Sequence, residues 1–400
     1  MKVAVIGIGG VGTVIAKELA KSDTFEKIIL GDIDEQRVRQ LTDEVGDPRF
    51  EPRRLDASDS PQVKAFLQGV DLVINATIPR FNLIIMDAAL DARCHYMDMA
   101  SDGPVKLPGR VDVFSQMEYD QKFKDVERTA ILCLGADPGA TNIFARYAAD
   151  TLDEVEAILI RDGDNSVVEG YNFALYFSPD TNIEECLQPP LVFEDGHFVY
   201  KEPLVTGVEV FNFPDPIGPR KTYAVSHEEV GTIPLHIKKG LKHCDFKYAL
   251  SDEFVSLLHS LRLVGLHRID EVTVKGVRVV PRDVVTALLP EPRDLGGKIK
   301  GDALVGTLVK GRRGEAKVEM FLYNVTNHEE SYRKMGVNAT VLQTGIPPVV
   351  AAELLAHGEI TTPGVLLPEC LDPKPFMDIL PERGWPIVIE EKVTTITRLG

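Results

Sequence analysis

Glycine placement at the start of this chain leaves few folds open. Residues 2–6 (KVAVI) form a short, β-branched apolar run, and Gly7-Ile8-Gly9-Gly10-Val11-Gly12 follows at once. Val11, Val14, Ile15 and Leu19 then recur at helical spacing, so a helix is expected over 11–21. Strand, glycine-rich turn and helix in that order are the context in which G-x-G-x-x-G holds a dinucleotide. The first glycine makes the tight turn, the second lets backbone approach a pyrophosphate, and the third allows close helix–strand packing. The helix N-terminus offers phosphates free N–H groups and the positive end of its dipole. Gly7, Gly9, Gly10, Val11 and Gly12 are therefore the first candidate cofactor-binding residues.

The alternation continues. Strands are expected at 27–31, 50–55, 70–76, 95–99 and 129–134, with helices at 34–46, 61–68, 81–92 and 113–127. Continuous apolar strands alternating with helices are the sequence form of an α/β, doubly wound parallel sheet of Rossmann type. Asp32 lies 20 residues after Gly12, where an acid accepts hydrogen bonds from the adenosine ribose. A carboxylate there repels a 2′-phosphate and favours NAD. Arg37 and Arg39 follow closely enough to reach a phosphate, so NADP stays open, and Asp34 is a second candidate ribose ligand. Asp56-Ala57 ends the third strand, where a carboxylate meets the adenine amino group. Asn75-Ala76-Thr77-Ile78-Pro79 ends the fourth, and Asn75, Ala76 and Pro79 are candidates there because small residues let a cofactor pass. The alternative for this region is a Rossmann-like domain that binds no nucleotide.

After Pro138 the pattern changes to mixed α+β. Strands are expected at 154–160, 171–177, 190–200, 207–213, 220–225 and 271–279 and within 303–325. Helices are expected at 139–151, 251–260, 281–289 and 328–335. The Pro-Pro at 347–348 suits a helix start near 349. No internal repeat or low-complexity segment stands out.

Composition removes other classes. The 400 residues suggest two to three units at ~100–200 residues each. With 44 Lys+Arg against 61 Asp+Glu the formal charge is −17, so bulk electrostatic binding of nucleic acid is excluded. The 44% apolar content excludes global disorder. Five widely spaced cysteines, no CxxC and no HExxH argue against a disulfide framework or a zinc site. No metal and a reducing, cytoplasmic setting are expected. The start resembles a signal peptide only until its glycines, Lys17 and Glu18 interrupt it. No other stretch is expected to reach the ~18 apolar residues of a membrane span.

Later segments carry a resemblance. Gly135-Ala136-Asp137-Pro138-Gly139-Ala140-Thr141-Asn142 is similar to the G-x-x-P-G-x-x-N joint of the saccharopine dehydrogenase-like family. So are Ser226-His227-Glu228-Glu229 with Ile233-Pro234, and Gln343-Thr344-Gly345-Ile346-Pro347. Val277-Arg278-Val279-Val280-Pro281-Arg282-Asp283-Val284, then Leu289-Pro290, resembles lysine 6-dehydrogenase, as does Gly364-Val365-Leu366-Leu367-Pro368-Glu369. The resemblance covers nearly the whole chain. It implies a Rossmann domain of residues 1–139 plus about 341–400, interrupted by an α+β substrate and dimerisation domain of about 140–340. It also implies a homodimer and NAD(P)-dependent hydride transfer at the C–N bond of an amino acid. L-lysine comes first as substrate; saccharopine or carboxynorspermidine dehydrogenase activity is the alternative.

Such a reaction needs a base near neutrality. His227 is the first candidate by its ordinary pKa, against a surface histidine beside exposed acids. Glu228 and Glu229 either bind a substrate ammonium, or act as base once burial raises a pKa, or are a solvated charge run. Asp98, at the end of the fifth strand, is placed toward the nicotinamide side, or caps a turn. Thr141 and Asn142 meet a substrate carboxylate, or cap a helix. Arg282 is a candidate bidentate carboxylate clamp, or a surface ion pair. Cys94 and Cys133 read as core. Two other functions stay open: a non-catalytic dinucleotide-binding protein, and an enzyme oxidising a hydroxy acid.

Overall fold

The computed structural model describes residues 1–106, 110–171, 173–290 and 292–395. The N-terminal third alternates as β1 (Lys2–Ile6), α1 (Gly10–Ala20), β2 (Lys27–Asp32), α2 (Glu35–Val45), β3 (Phe50–Arg54), α3 (Ser60–Phe66), β4 (Leu72–Asn75), α4 (Asn82–Ala92) and β5 (His95–Asp98). Helices α5 (Val113–Met117) and α6 (Asp120–Asp125) then lead to β6 (Thr129–Ile131). Local chemistry sets the boundaries. Asp34 and Asp59 cap α2 and α3 by accepting backbone N–H bonds, and Gly46 ends α2 at φ 66°.

The remainder runs through α7 (Ala140–Asp150), β7 (Glu154–Asp164), β8 (Val167–Val168), α8 (Pro179–Leu187), β9 (Leu191–Glu194), β10 (His197–Tyr200), β11 (Glu209–Asn212), β12 (Pro219–Ala224) and α9 (Glu228–His236). Then come β13 (His243–Ala249), α10 (Asp252–Val264), β14 (Val272–Val274), β15 (Val277–Val279), α11 (Pro281–Leu288), β16 (Ile299–Lys300), β17 (Asp302–Arg313) and β18 (Ala316–Asn327). The chain closes with α12 (His328–Met335), α13 (Ala339–Gly345), α14 (Pro347–Ala356), β19 (Gly364–Leu366), α15 (Pro373–Glu382) and β20 (Val388–Thr394).

Two sheets organise these elements. The first is parallel throughout, in the order β19-β6-β5-β4-β1-β2-β3. Its strand order reverses direction between β1 and β4, the position where open α/β sheets bind ligands. The expected Rossmann fold is therefore present. The second sheet runs β10-β9-β13-β7-β17-β18-β20, with β12 also on β13. Helix α7, which follows β6, packs on β17, β7 and β18 of the second sheet, and Thr307 of β17 donates to the Thr141 carbonyl at 2.8 Å. One apolar core runs from Val5 and Ile131 through Phe144 to Phe246 and Leu322.

Several expected elements differ. Residues 190–200 and 271–279 are hairpins, not single strands. Asp195-Gly196 and Lys275-Gly276 both take positive φ, as tight hairpin turns require. The helix expected over 113–127 is the two short helices α5 and α6, and no strand forms among the described residues of 171–177. The expected return of residues 341–400 to the first sheet needs correction at its end. β19 pairs with β6, whereas β20 covers the edge of β18 in the second sheet. The span Ala339–Ala356 is long and apolar enough to cross a membrane, contrary to the expectation from sequence. Most of it is buried here as α13 and α14, packed on α1.

Candidate active site

The glycine loop has a shape only glycine permits. A Cβ at Gly12 would stand 1.9 Å from the Gly7 carbonyl oxygen, and one at Gly7 (φ +91°) 2.7 Å from that of Ala76. Gly10 lies under Val341 of α13. Gly9 faces open space, and no side chain caps α1. The first-turn N–H groups of Gly10, Val11 and Gly12 are therefore left for an anion. This loop fits a dinucleotide pyrophosphate.

Asp32 is buried and accepts from Ile8 N at 2.6 Å and Asp34 N at 2.9 Å. It clamps the loop, and each oxygen keeps a further lone pair for a ribose hydroxyl. Asp34 caps α2. The half-exposed Arg37 guanidinium lies 3.9 Å from Asp32 and 3.7 Å from Asp34, beside the ribose position. Arg39 instead pairs with Glu35 along α2. Asp56 and Ala57 sit half-buried after β3, with Asp56 held by Ser58. Asn75 turns its side chain inward, onto Asn82, Tyr96 and Thr77. Ala76 packs on the glycine loop, and Pro79 starts a short 3-10 turn.

Asp98 ends β5 in full burial. Tyr96 OH (2.8 Å), Gln116 Nε2 (2.6 Å) and Cys133 N (2.7 Å) all donate to it. Burial pushes its carboxyl up to about 6, although the three donors oppose that shift. Asp98 thus ties the ends of β5 and β6 together. Cys94 and Cys133 are buried in the core beside it.

Acid residues gather where α9 meets the second sheet. His227 precedes α9 in extended conformation, and Glu228 and Glu229 form its first turn, where the helix dipole favours carboxylates. The His227 ring stacks on Phe246 of β13, centroids 3.9 Å apart at 12°. Its Nδ1 bonds to Glu229, whose Oε1 accepts from Thr141 Oγ1 at 3.1 Å. Glu228 accepts from Ser101 N (2.8 Å) and Ser101 Oγ (3.1 Å). Burial opposes charging His227, but Glu229, Glu228 and Glu185 outweigh it and hold the imidazole well above its ordinary pKa. His227, Glu228 and Glu229 also lie close enough together to hold a metal ion, although their other partners account for the arrangement.

Three further acids complete the cluster. Burial, then Glu228, Asp137 and Glu229, push Glu185 of α8 up to about 8, against the pull of His227. Asp137 and Asp162 face one another: burial raises the Asp137 carboxyl against the opposing hydrogen bond to Asp162 and pull of His227, whereas burial and then Asp137 together push Asp162 well above its ordinary value. Asp162 Oδ1 and Ser226 Oγ are buried with no hydrogen-bond partner among the described residues. Sequence reasoning alone does not single out Asp137, Asp162 or Glu185. Asp137 lies within the joint motif between the domains, and Ser178-Pro179 is a legible helix start ahead of Glu185.

Two expected substrate ligands have other work. Asn142 accepts from Gly139 N and donates to Glu369 at 2.8 Å, and Glu369 in turn holds His236 at 3.0 Å. Asn142 therefore caps α7 and anchors the far end of α9. Arg282 is buried and engaged by Glu184 and the His267 carbonyl. Arg110 bridges the same Glu184 to Asp102, fixing the segment that carries Ser101.

Comparison with known proteins agrees with this layout. The profile of the saccharopine dehydrogenase NADP binding domain matches residues 3–131, and that of the saccharopine dehydrogenase C-terminal domain matches residues 135–385. A carboxyaminopropylagmatine dehydrogenase from Synechocystis sp. is 34% identical over 389 residues, covering 96% of each chain. A carboxynorspermidine synthase from Vibrio cholerae is 31% identical, covering 97% of each. Two solved structures share the fold at 15% identity each. Saccharopine dehydrogenase (L-Glu forming) from Saccharomyces cerevisiae has a TM-score of 0.74, over 98% of this chain and all of that one. Homospermidine synthase from Legionella pneumophila, in complex with NAD, has a TM-score of 0.72, over 98% of this chain and 91% of that one.

Proposed function

The chain belongs to the saccharopine dehydrogenase family, and from that premise we propose that it forms or cleaves the secondary C–N bond of a carboxylated polyamine. It is an NAD(P)-dependent oxidoreductase of saccharopine dehydrogenase-like type. The substrate class is our reading: a molecule of the kind of carboxynorspermidine or carboxyaminopropylagmatine, preferred to L-lysine. One observation carries it: Glu229 bonds to the His227 ring, Glu228 lies 3.8 Å from it, Glu185 and Asp137 act on its charge, and Asp162 adjoins Asp137. So many buried or partly buried carboxyls are costly alone and favourable around a ligand with several cationic nitrogens.

The bound nicotinamide supplies or accepts the hydride. His227 handles the proton. With Nδ1 held by Glu229, Nε2 is the ring atom left to exchange a proton with the substrate nitrogen. Thr141 fixes Glu229 and Ser101 fixes Glu228, so the carboxylates that meet the amine are oriented before it arrives. Binding a cation at pH 7 draws a proton from Glu185. Affinity therefore rises with pH up to about 8.

The test is turnover by the purified chain with NAD+ and NADP+, followed by the rise in reduced-nicotinamide absorbance. Carboxynorspermidine, carboxyaminopropylagmatine, saccharopine and L-lysine are compared side by side. Oxidation of either carboxylated polyamine supports the reading. Turnover of lysine or saccharopine alone would overturn it. A homodimer in the cytoplasm belongs to the same reading, and light scattering of the purified chain tests the dimer.

A further inference from the structure

A cavity of about 600 Å³ opens on the face of the second sheet that carries the acid cluster. Phe173, Tyr176, Phe177, Tyr248 and Phe254 give it aromatic walls. The sheet register places it relative to His227. Tyr248 follows Phe246, the ring stacked on His227, by two residues in β13 and is paired with Asp162 in β7. Asp164, on the cavity wall, follows Asp162 by two residues. Same-face neighbours along a strand are roughly 6.6 Å apart. The cavity thus begins one such step from the imidazole layer, a span that three or four methylenes bridge.

We propose that this cavity is the subsite for the distal cation of the substrate, an alkylguanidinium or alkylammonium group enclosed by the aromatic rings and Asp164. The proposal rests on the polyamine reading above and adds where the far end of the molecule is recognised. Aromatic faces attract cations, most strongly where water is excluded. The wall has its own example, since the Lys298 ammonium lies 5.1 Å from the Tyr171 ring centroid.

Charge on the wall agrees. Of the described lining residues Asp164 and Glu253 are negative and Arg220 is positive, with the Lys298 ammonium nearby on the Tyr171 ring. Asp164 accepts from Ser166 N (2.7 Å) and Ser166 Oγ (2.6 Å) and bonds to the Tyr176 hydroxyl, which fixes its carboxylate. Glu253 is exposed and makes no ion pair among the described residues. Arg220 is held back by backbone carbonyls of Asp164 and Pro219, each at 3.1 Å. The opposite occupant, a substrate carboxylate on Arg220, would have to sit among these acids.

Calorimetry of the full chain tests this, with agmatine and norspermidine as cation probes and succinate as the anion probe. Phe173→Ala is expected to weaken agmatine about tenfold and Glu253→Gln about threefold, with NADPH affinity unchanged. No agmatine binding to the unaltered chain, or equal binding by both variants, overturns the proposal. So does displacement of agmatine by succinate that Arg220→Gln abolishes. If Phe173→Ala fails to fold, the surface variant Glu253→Gln decides alone. Turnover separates the two readings. No activity on either carboxylated polyamine, with agmatine binding still sensitive to the variants, removes the proposed reaction and keeps the subsite. Activity that the variants leave unchanged, together with unchanged agmatine binding, removes the subsite and keeps the reaction.

Discussion

His227 is held on one side by a ring and on the other by a carboxylate. Phe246 sets its plane and Glu229 its tautomer, so the imidazole is ready for proton transfer. His227→Gln keeps a similar size but cannot exchange the proton. A loss of about 10²–10⁴ in kcat is expected, with dinucleotide affinity intact, measured by steady-state kinetics and calorimetry. Glu185 makes a different demand. Its pKa rises on folding from about 4.5 to about 8. Between those values the folded chain keeps a proton that the unfolded chain has released. Stability linked to this group therefore falls as pH rises through that window. Glu185→Gln should match the parent's melting temperature near pH 4.5 and exceed it by a few °C at pH 8 or above, while losing activity on amines. Equal melting temperatures across that range would show that the carboxyl is not perturbed.

At the scale of elements, the turn between β1 and α1 separates folding from binding. A methyl at Gly12 meets the Gly7 carbonyl, whereas one at Gly9 meets nothing. Gly12→Ala is expected to cost about 1–3 kcal/mol in denaturant unfolding. Gly9→Ala should fold like the parent and weaken the dinucleotide at least tenfold by calorimetry, because its methyl enters the phosphate space. Arg37 in the first turn of α2 should matter to one cofactor more than the other. Arg37→Ala is expected to weaken NADPH about tenfold more than NADH, measured as the ratio of the two Kd values. The parallel sheet was legible because its central strands β1, β2 and β4 are buried and mostly apolar and the first turn carries glycine. β13 was not. Cys244 and Phe246 alternate with Asp245 and Lys247, but the polar side is buried too, in an ion network with Arg161 that only the fold brings together. α9 hid behind its own Gly231 and Pro234. The HEE acids were legible as residue types. Asp137, Asp162 and Glu185 join them only through β7, α7 and α8, a convergence no local pattern records.

For the whole molecule, the relevant feature is the path of the chain. It leaves the first sheet through α7, returns through α12–α14 to β19, and leaves again through α15 to β20 on β18. Trp385, on the last crossing, is buried against Phe144 of the first crossing and donates to the Gln343 carbonyl of the second. Three passages of one chain, stitched at a single indole, leave neither sheet a boundary at which to melt alone. The thermodynamic consequence is cooperativity: heating should give one calorimetric peak whose van't Hoff and measured enthalpies agree, despite a length at which two transitions are common. Trp385→Ala should divide that peak in two, the lobes then answering to temperature separately.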